Sequence, residues 1–252
     1  MHKRDITIVV VTSVLPSHPS TDIIDETIKS IRFHFPDNEI IMQIDGLRRE
    51  QNHRKADYDE YKNRILWKCL HEYKNVLPMV FESHIHQTGM MRLTMPEIKT
   101  SLLLYIEGDA PLTTDPIDWE KCLDMIEYGK ANTIRFHFEA FIPAPHEHLM
   151  FDLEDGFLKT AQWSQRPHLT TKSYYRDIVL PSCDKFFFIE DTFHGRVQDD
   201  ILPYDIFNKD GWDIHKLWIY HPDTNIKRSY HLDGRDGHKK FTTDDNFWGY
   251  KE

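Results

Sequence analysis

The sequence contains little cysteine and little glycine, and it has neither a long apolar run nor an excess of positive charge. Its three cysteines, Cys69, Cys122 and Cys183, lie far apart and form no C-x-x-C pair. This spacing argues against a disulfide framework and against a zinc ribbon. No stretch reaches the ~18 consecutive apolar residues that cross a membrane. We therefore expect a protein without a membrane span that resides in a reducing compartment, the cytoplasm.

The charge balance is acidic, with 41 Asp and Glu against 31 Lys and Arg and a formal net charge of −10. Such a balance argues against a broad contact surface for the phosphate backbone of nucleic acid. Basic residues nevertheless cluster in LRREQNHRK at 47–55 and in DGHKK at 236–240. Each cluster could hold a small anion such as a diphosphate or could be ordinary solvated surface, and the sequence leaves both interpretations open.

Strands and helices alternate through the first half of the chain. Apolar runs predict strands in ITIVVVTSVL, EIIMQID, VLPMVFE and SLLLYI, and helical periodicity predicts helices at about 20–35, 57–73 and 88–99. The first run follows MHKR and has the outline of a signal peptide, but it is short and β-branched, so we interpret it as a core strand. This order predicts a largely parallel sheet with helices on both faces.

The second half has a different pattern. A helix is expected at about 118–128, and shorter runs predict further strands in NTIRFHFEA, HLMFDLED, FLKTAQW, KFFFIED and LWIYHP. These strands suggest antiparallel or mixed additions to the sheet. No internal repeat is present, so we expect one α/β domain over residues 1–252 with a C-terminal elaboration.

Two acids follow directly on a strand that should be buried. In LLLYIEGDAPL, residues 102–112, the apolar run ends in Glu107 and Asp109, and Asp45 ends the second predicted strand. Carboxyl ends of parallel strands meet at one edge of the sheet, where ligands bind in open α/β folds. Carboxylates gathered there suit a hard cation, Mg²⁺ or Mn²⁺. The alternative is that Glu107 and Asp109 only cap the turn before Pro111.

The order of elements, the acid-Gly-acid triplet at 107–109 and the later Glu190-Asp191 pair resemble the GT-A glycosyltransferases, in particular the inverting family 2 type. The resemblance extends from about residue 6 to residue 200, although each motif is short. It implies a Rossmann-like fold in which a D-x-D triplet holds a metal on the diphosphate of a nucleotide sugar. Glu107 departs from that triplet, so Asp109 is the expected metal ligand, and Glu107 is assigned to the nucleotide-sugar site.

The same resemblance divides the chain into a nucleotide-binding half, about 1–110, and an acceptor-binding half, about 111–252. It implies nucleotide contacts from Thr12 and Ser13 after the first strand and a hydrogen bond from Asp45 to the base. QTGMMR at 87–92 stands where the family keeps a Gly and an Arg near the nucleotide, which makes Arg92 a candidate. A solvated helix face is the alternative for Arg92.

The Glu190-Asp191 pair resembles the family's ED motif, which implies that Asp191 is the general base and Glu190 its substitute. Helix capping by Asp191 is the alternative. The resemblance also implies a late basic residue over the diphosphate. His231, in an H-x-x-G setting with Gly234, is therefore a candidate third metal ligand.

QWSQRPHL at 162–169 reads as a loop that contains Trp163 and Arg166. Tryptophan faces stack on sugar C–H surfaces and arginine bridges hydroxyls, so both residues are candidates for a wall of the sugar site. A tryptophan buried in the core is the competing interpretation.

The expected function is that of a hexosyl- or pentosyltransferase. It would use Mn²⁺ or Mg²⁺ to move a sugar from a nucleotide diphosphate donor, UDP-linked by preference, to a glycan or small hydroxylated acceptor with inversion. A nucleotidyltransferase is an alternative, although VTSVLPSHPSTD lacks the glycines of such enzymes. A non-catalytic carbohydrate- or protein-binding module on the same fold is another.

Overall fold

The structure is a computed structural model that describes residues 5–137, 141–222 and 226–232. Its strands are β1 (Ile6–Thr12), β2 (Ile40–Ile44), β3 (Val76–Val80), β4 (Leu102–Glu107), β5 (Thr133–Arg135), β6 (Met150–Glu154), β7 (Phe157–Thr160), β8 (His168–Thr171) and β9 (Leu217–Tyr220). Its helices are α1 (Asp22–His34), α2 (Lys55–His71), α3 (His86–Thr94), α4 (Trp119–Glu127), α5 (Lys172–Tyr174), α6 (Ile189–Ile201) and α7 (Lys209–His215).

The strands form one sheet in the order β3-β2-β1-β4-β8-β5-β9-β7-β6. The first four are parallel, as predicted. Beyond β4 the sheet is mixed, because β8 runs antiparallel to both β4 and β5 and β7 runs antiparallel to β9. The chain builds outward from β1 to β3 and then returns to place β4 on the other side of β1. This reversal opens a crevice at the carboxyl ends of β1 and β4.

Burial explains why the apolar runs became strands. Every residue of β1 and β2 is buried, and β4 is buried up to Glu107. β3 lies at the sheet edge and is only partly buried, which allows Pro78 within it because an edge strand can omit one hydrogen bond. The helix predicted over 88–99 ends at Thr94, before Pro96. No helix in the described part of the chain has the length and apolarity needed to cross a bilayer.

The strand predicted in KFFFIED is wrong. Phe188 is the extended residue before α6, so Glu190 and Asp191 lie in the first turn of a helix. Phe186 and Phe187 are exposed, whereas the buried residues Ile189, Phe193, Val197 and Ile201 recur at a spacing of four. That helical stripe begins only at Ile189, whereas the three consecutive phenylalanines before it form an apolar run that is typical of a strand.

Sequence analysis also missed β8, because HLTT is short, contains one apolar residue and is preceded by a proline. This strand lies between β4 and β5. Its buried residues are one leucine, Leu169, and the polar His168 and Thr170, so its apolar signal is weak. The helix α7 was missed as well. Gly211 of α7 packs so closely on α6 that an added Cβ would lie 1.8 Å from the Asp200 carbonyl oxygen.

Replacing Gly211 with Ala should therefore force α7 away from α6 and lower the free energy of unfolding by about 1–3 kcal/mol or more. The matched control is Gly195→Ala on the exposed side of α6, where an added Cβ meets nothing within 4 Å. That change should raise stability by about 0.5–1 kcal/mol, because alanine is the better helix former. Urea unfolding measures both, and equal effects at the two positions would contradict the packing described.

Candidate active site

A cleft of about 640 Å³ lies at the carboxyl ends of β1, β2 and β4. Nine of the eleven residues predicted for the site line it: Thr12, Ser13, Asp45, Glu107, Asp109, Arg166, Glu190, Asp191 and His231. The remaining two, Arg92 and Trp163, do not. The topology thus gathers residues from both halves of the chain around the switch between β1 and β4.

The acid-Gly-acid triplet is fixed by its glycine. The Gly108 N–H donates to the carbonyl of Val11 at 2.7 Å, and the Thr27 hydroxyl donates to the Gly108 carbonyl at 2.7 Å. A Cβ on Gly108 would lie 3.1 Å from that Val11 oxygen, so a side chain here would need its neighbours to shift by a few tenths of an ångström. The Asp109 carbonyl accepts the Leu232 N–H at 2.9 Å, which brings the segment of His231 back to the acids.

One amide side chain joins the two groups of acids. Gln87 Nε2 donates to Glu107 Oε1 at 2.7 Å, and Gln87 Oε1 accepts the backbone N–H of Ile189 at 3.2 Å. This orientation of the amide is the consistent one, because a carboxylate needs a donor and an N–H needs an acceptor. Gln87 is buried and so ties the end of β4 to the first turn of α6.

Glu190 and Asp191 have different surroundings. A carboxylate oxygen of Glu190 accepts the Gln165 N–H at 3.0 Å, which anchors α6 to the segment before β8. Asp191 is exposed at the same helix end, and both residues line the cleft. Glu190 is thus engaged in holding the helix, while Asp191 faces solvent in the cleft.

Asp45 is buried and its carboxylate is surrounded by protein donors. It accepts the N–H groups of Gly46, Ile85 and His86 at 2.8 to 3.1 Å, and one oxygen lies 2.7 Å from Nδ1 of His84. Asp45 therefore caps the start of α3, where the helix dipole favours a negative charge. The hydrogen bond predicted between Asp45 and a nucleotide base stays a prediction, since Asp45 also lines the cleft.

Arg92 is not in the cleft. Its two terminal nitrogens donate to the carbonyls of Leu180, Cys183, Asp184 and Lys185 at 2.6 to 3.4 Å. Thr88 adds hydrogen bonds to Lys185 and Phe187. The guanidinium therefore binds the segment that precedes α6, and the expected role beside the nucleotide is wrong.

Trp163 is 2% exposed, and its indole N–H donates to Gln165 Oε1 at 3.0 Å. Its ring packs edge-on against Phe193, with ring centres 4.8 Å apart. Trp163 thus belongs to the core beneath the cleft, as the competing interpretation held, and the proposed stacking on a sugar is wrong. Arg166 of the same segment does line the cleft.

Thr12 and Ser13 lie at the end of β1 as expected. The Thr12 hydroxyl lies 2.9 Å from the Tyr61 hydroxyl, and Thr12 is only 3% exposed. Arg48, from the basic cluster at 47–55, lines the same cleft, and so do His84 and His86, which sequence analysis did not select. Burial, with His84 and Arg48 nearby, lowers the pKa of His86 to about 4, so its imidazole is neutral at pH 7.

No protein-family model matches the sequence, and no curated protein matches it. Solved structures do. HddC from Yersinia pseudotuberculosis is 12% identical with a TM-score of 0.53, and the match covers 94% of this chain and 97% of HddC. A UDP-glucose pyrophosphorylase, solved with UDP-glucose, is 9% identical with a TM-score of 0.52 and coverages of 94% and 96%.

The chain has a GT-A-like fold. Residues 1–349 of S. aureus TarS also match, at 10% identity and a TM-score of 0.46, over 90% of this chain and 60% of that one. This chain thus covers less than two thirds of that piece of TarS. Identities this low establish the architecture and nothing finer.

In this GT-A-like cleft the described residues contain no group of three or more His, Cys, Asp or Glu that is close enough to hold a metal ion. The acids of the triplet lie one residue apart at the end of β4, and Glu107 shares one oxygen with Gln87. Such a set suits Mg²⁺ or Mn²⁺ in the mode where one or two carboxylates bind the ion and water and substrate phosphates complete its shell.

Exchanging Gln87 for Met, which is of similar length, removes both hydrogen bonds of the bridge. Glu107 then loses a donor and the Ile189 N–H loses its acceptor, so the free energy of unfolding should fall by about 1–3 kcal/mol. The control is Gln198→Met on α6, a half-buried glutamine whose side chain makes no hydrogen bond within the described residues. Its effect should stay within ~0.5 kcal/mol in the same urea titration. A Gln87 variant as stable as its control would contradict the bridge.

Proposed function

We propose that this protein is a glycosyltransferase that moves a sugar from a nucleoside-diphosphate donor, UDP-linked by preference, to a hydroxyl of a glycan or small acceptor. The observation that carries the proposal is the joining of two acidic groups in one cleft, Glu107 and Asp109 at the end of β4 and Asp191 at the start of α6, through the amide of Gln87. Transfer needs a charge-neutralising site and a base at a fixed separation.

Asp109, with Glu107 beside it, would hold the divalent cation, and the bound ion would neutralise the leaving diphosphate. The donor chemistry fits, because both ligands are hard oxygens on a strand end fixed by Gly108. His231 lines the same cleft and is tied to the triplet through the Leu232 N–H, which supports it as a further ligand.

Asp191 is proposed as the general base because it is the exposed acid at the start of α6. As the acceptor oxygen attacks the anomeric carbon, its proton passes to the Asp191 carboxylate. The bond from that carbon to the diphosphate oxygen breaks, and the nucleoside diphosphate leaves on the opposite face, which inverts the configuration. Glu190 positions the helix through Gln165 instead of taking the proton.

The cytoplasm is the proposed compartment, since all three cysteines are buried and free in the structure. The runner-up function is nucleotidyl transfer, which would release pyrophosphate from a nucleoside triphosphate. A product assay separates the two, because glycosyl transfer releases a nucleoside diphosphate. Absence of nucleotide binding under every condition would instead favour a binding module without chemistry.

Changing Asp109 to Asn should abolish the part of nucleotide binding that depends on Mn²⁺, because the amide carries no charge for the ion. Thermal shifts with UDP, GDP, CDP and TDP sugars, each with and without Mn²⁺, measure this, since a ligand bound only to the native state raises the melting temperature. A variant that keeps the metal-dependent shift would show that Asp109 is not a ligand.

Changing Asp191 to Asn should leave donor binding intact and lower turnover by about 10²–10⁴-fold, the usual contribution of a positioned base. Glu190→Gln is the matched control, because glutamine can still accept the Gln165 N–H and should retain most of the activity. Measurements of kcat and donor affinity for both variants test the assignment. Loss of donor affinity in the Asp191 variant, or a larger loss of turnover in the Glu190 variant, would contradict it.

A further inference from the structure

Two permanent cations line the cleft within the described residues, Arg48 and Arg166, against five carboxylates. The acids are Asp45, Glu107, Asp109, Glu190 and Asp191. An anionic ligand in such a cleft is repelled unless positive groups are placed for it. Binding of an anion in this cleft therefore depends on the two arginines. Arg48 belongs to the basic cluster at 47–55.

A relay of hydrogen bonds fixes the orientation of Arg48. Its Nε donates to Nε2 of His84 at 3.2 Å. Since Nε2 accepts, the proton of the neutral His84 ring is on Nδ1, which lies 2.7 Å from an oxygen of Asp45. Asp45 is in turn held by the N–H groups of Ile85 and His86 at the start of α3 and by that of its neighbour Gly46. The guanidinium is thus anchored to the sheet through two side chains.

The rest of the guanidinium is presented to the cleft. Its carbon lies 5.3 Å from the centre of the Phe188 ring, over the aromatic face. Arg48 is half-buried, and within the described residues its two terminal nitrogens donate no hydrogen bond to the protein. A planar fork of donors with its Nε already fixed matches the paired oxygens of a phosphate.

We propose that Arg48 binds phosphate oxygens of the ligand, independently of the divalent cation, and that Asp45 and His84 are positioning residues for it. That the ligand carries a nucleoside rests on the proposed function, whereas binding of its phosphate by Arg48 does not. Asp45 thereby acquires a role in binding that differs from contact with a base. A lysine could not replace Arg48, because one ammonium cannot bond His84 and also present a fork.

The test is isothermal titration of the full chain with inorganic pyrophosphate, UDP and uridine, all in EDTA so that no divalent cation contributes. Arg48→Gln should weaken pyrophosphate and UDP at least tenfold and leave uridine within twofold. Arg48→Lys should also weaken the two phosphate ligands. Arg49→Gln is the control, because Arg49 is exposed and does not line the cleft, and it should change nothing. His84→Leu, which breaks the relay, should weaken pyrophosphate severalfold.

Three results would overturn the inference. The first is that the wild-type protein binds neither pyrophosphate nor UDP in EDTA, and the second is that the Arg48→Gln variant binds pyrophosphate as well as wild type does. The third is that Arg48→Gln weakens the affinity for uridine and for UDP equally, which would place Arg48 on the nucleoside. A different result would contradict the proposed function. If pyrophosphate binding depends on Arg48 but no nucleotide sugar is turned over with Mn²⁺, the anion site stands and the transferase does not. Comparable unfolding midpoints confirm that the variants are folded.

Discussion

The site depends on the amide of Gln87, which holds the acid at the end of β4 and the first N–H of α6 at the same time. Hydrogen bonds from neighbouring residues join further elements to the start of α3. Asp45 binds the start of α3 from the β2 side, and Thr88 binds the segment before α6. The first turn of α3 is therefore the common support of three elements whose acids share one cleft, and the separation between those acids is set by hydrogen bonds of fixed geometry.

Four of the five acids in the cleft differ in the protein groups that surround their carboxylates. Asp45 is saturated by backbone and histidine donors, Glu107 accepts from an amide, and Glu190 accepts from a backbone N–H. Asp191 is the exposed one. A carboxylate whose oxygens already accept protein hydrogen bonds has fewer lone pairs left for a ligand, whereas a solvent-facing carboxylate keeps its lone pairs available.

Local patterns predicted the parallel half of the sheet, because β1, β2 and β4 are buried along their length and so appear as uninterrupted apolar runs. The same rule failed at KFFFIED, where two exposed phenylalanines imitate a strand and the helical stripe begins only at Ile189. Arg92 and Trp163 were misassigned because residue type indicates what a side chain can bind, not which neighbours have already bound it. Gln87 could not be found at all, since its partners lie 20 and 102 residues away in the chain.

The hydrogen bonds that Arg92 and Thr88 make to residues 180–187 have a consequence for the start of α6, which follows this segment. One guanidinium donates four hydrogen bonds to this segment and one hydroxyl makes two more, so the segment should separate from α3 only at a substantial cost in free energy. Because this segment leads directly into α6, the first turn that carries Glu190 and Asp191 should keep one position relative to α3 whether or not a ligand is bound.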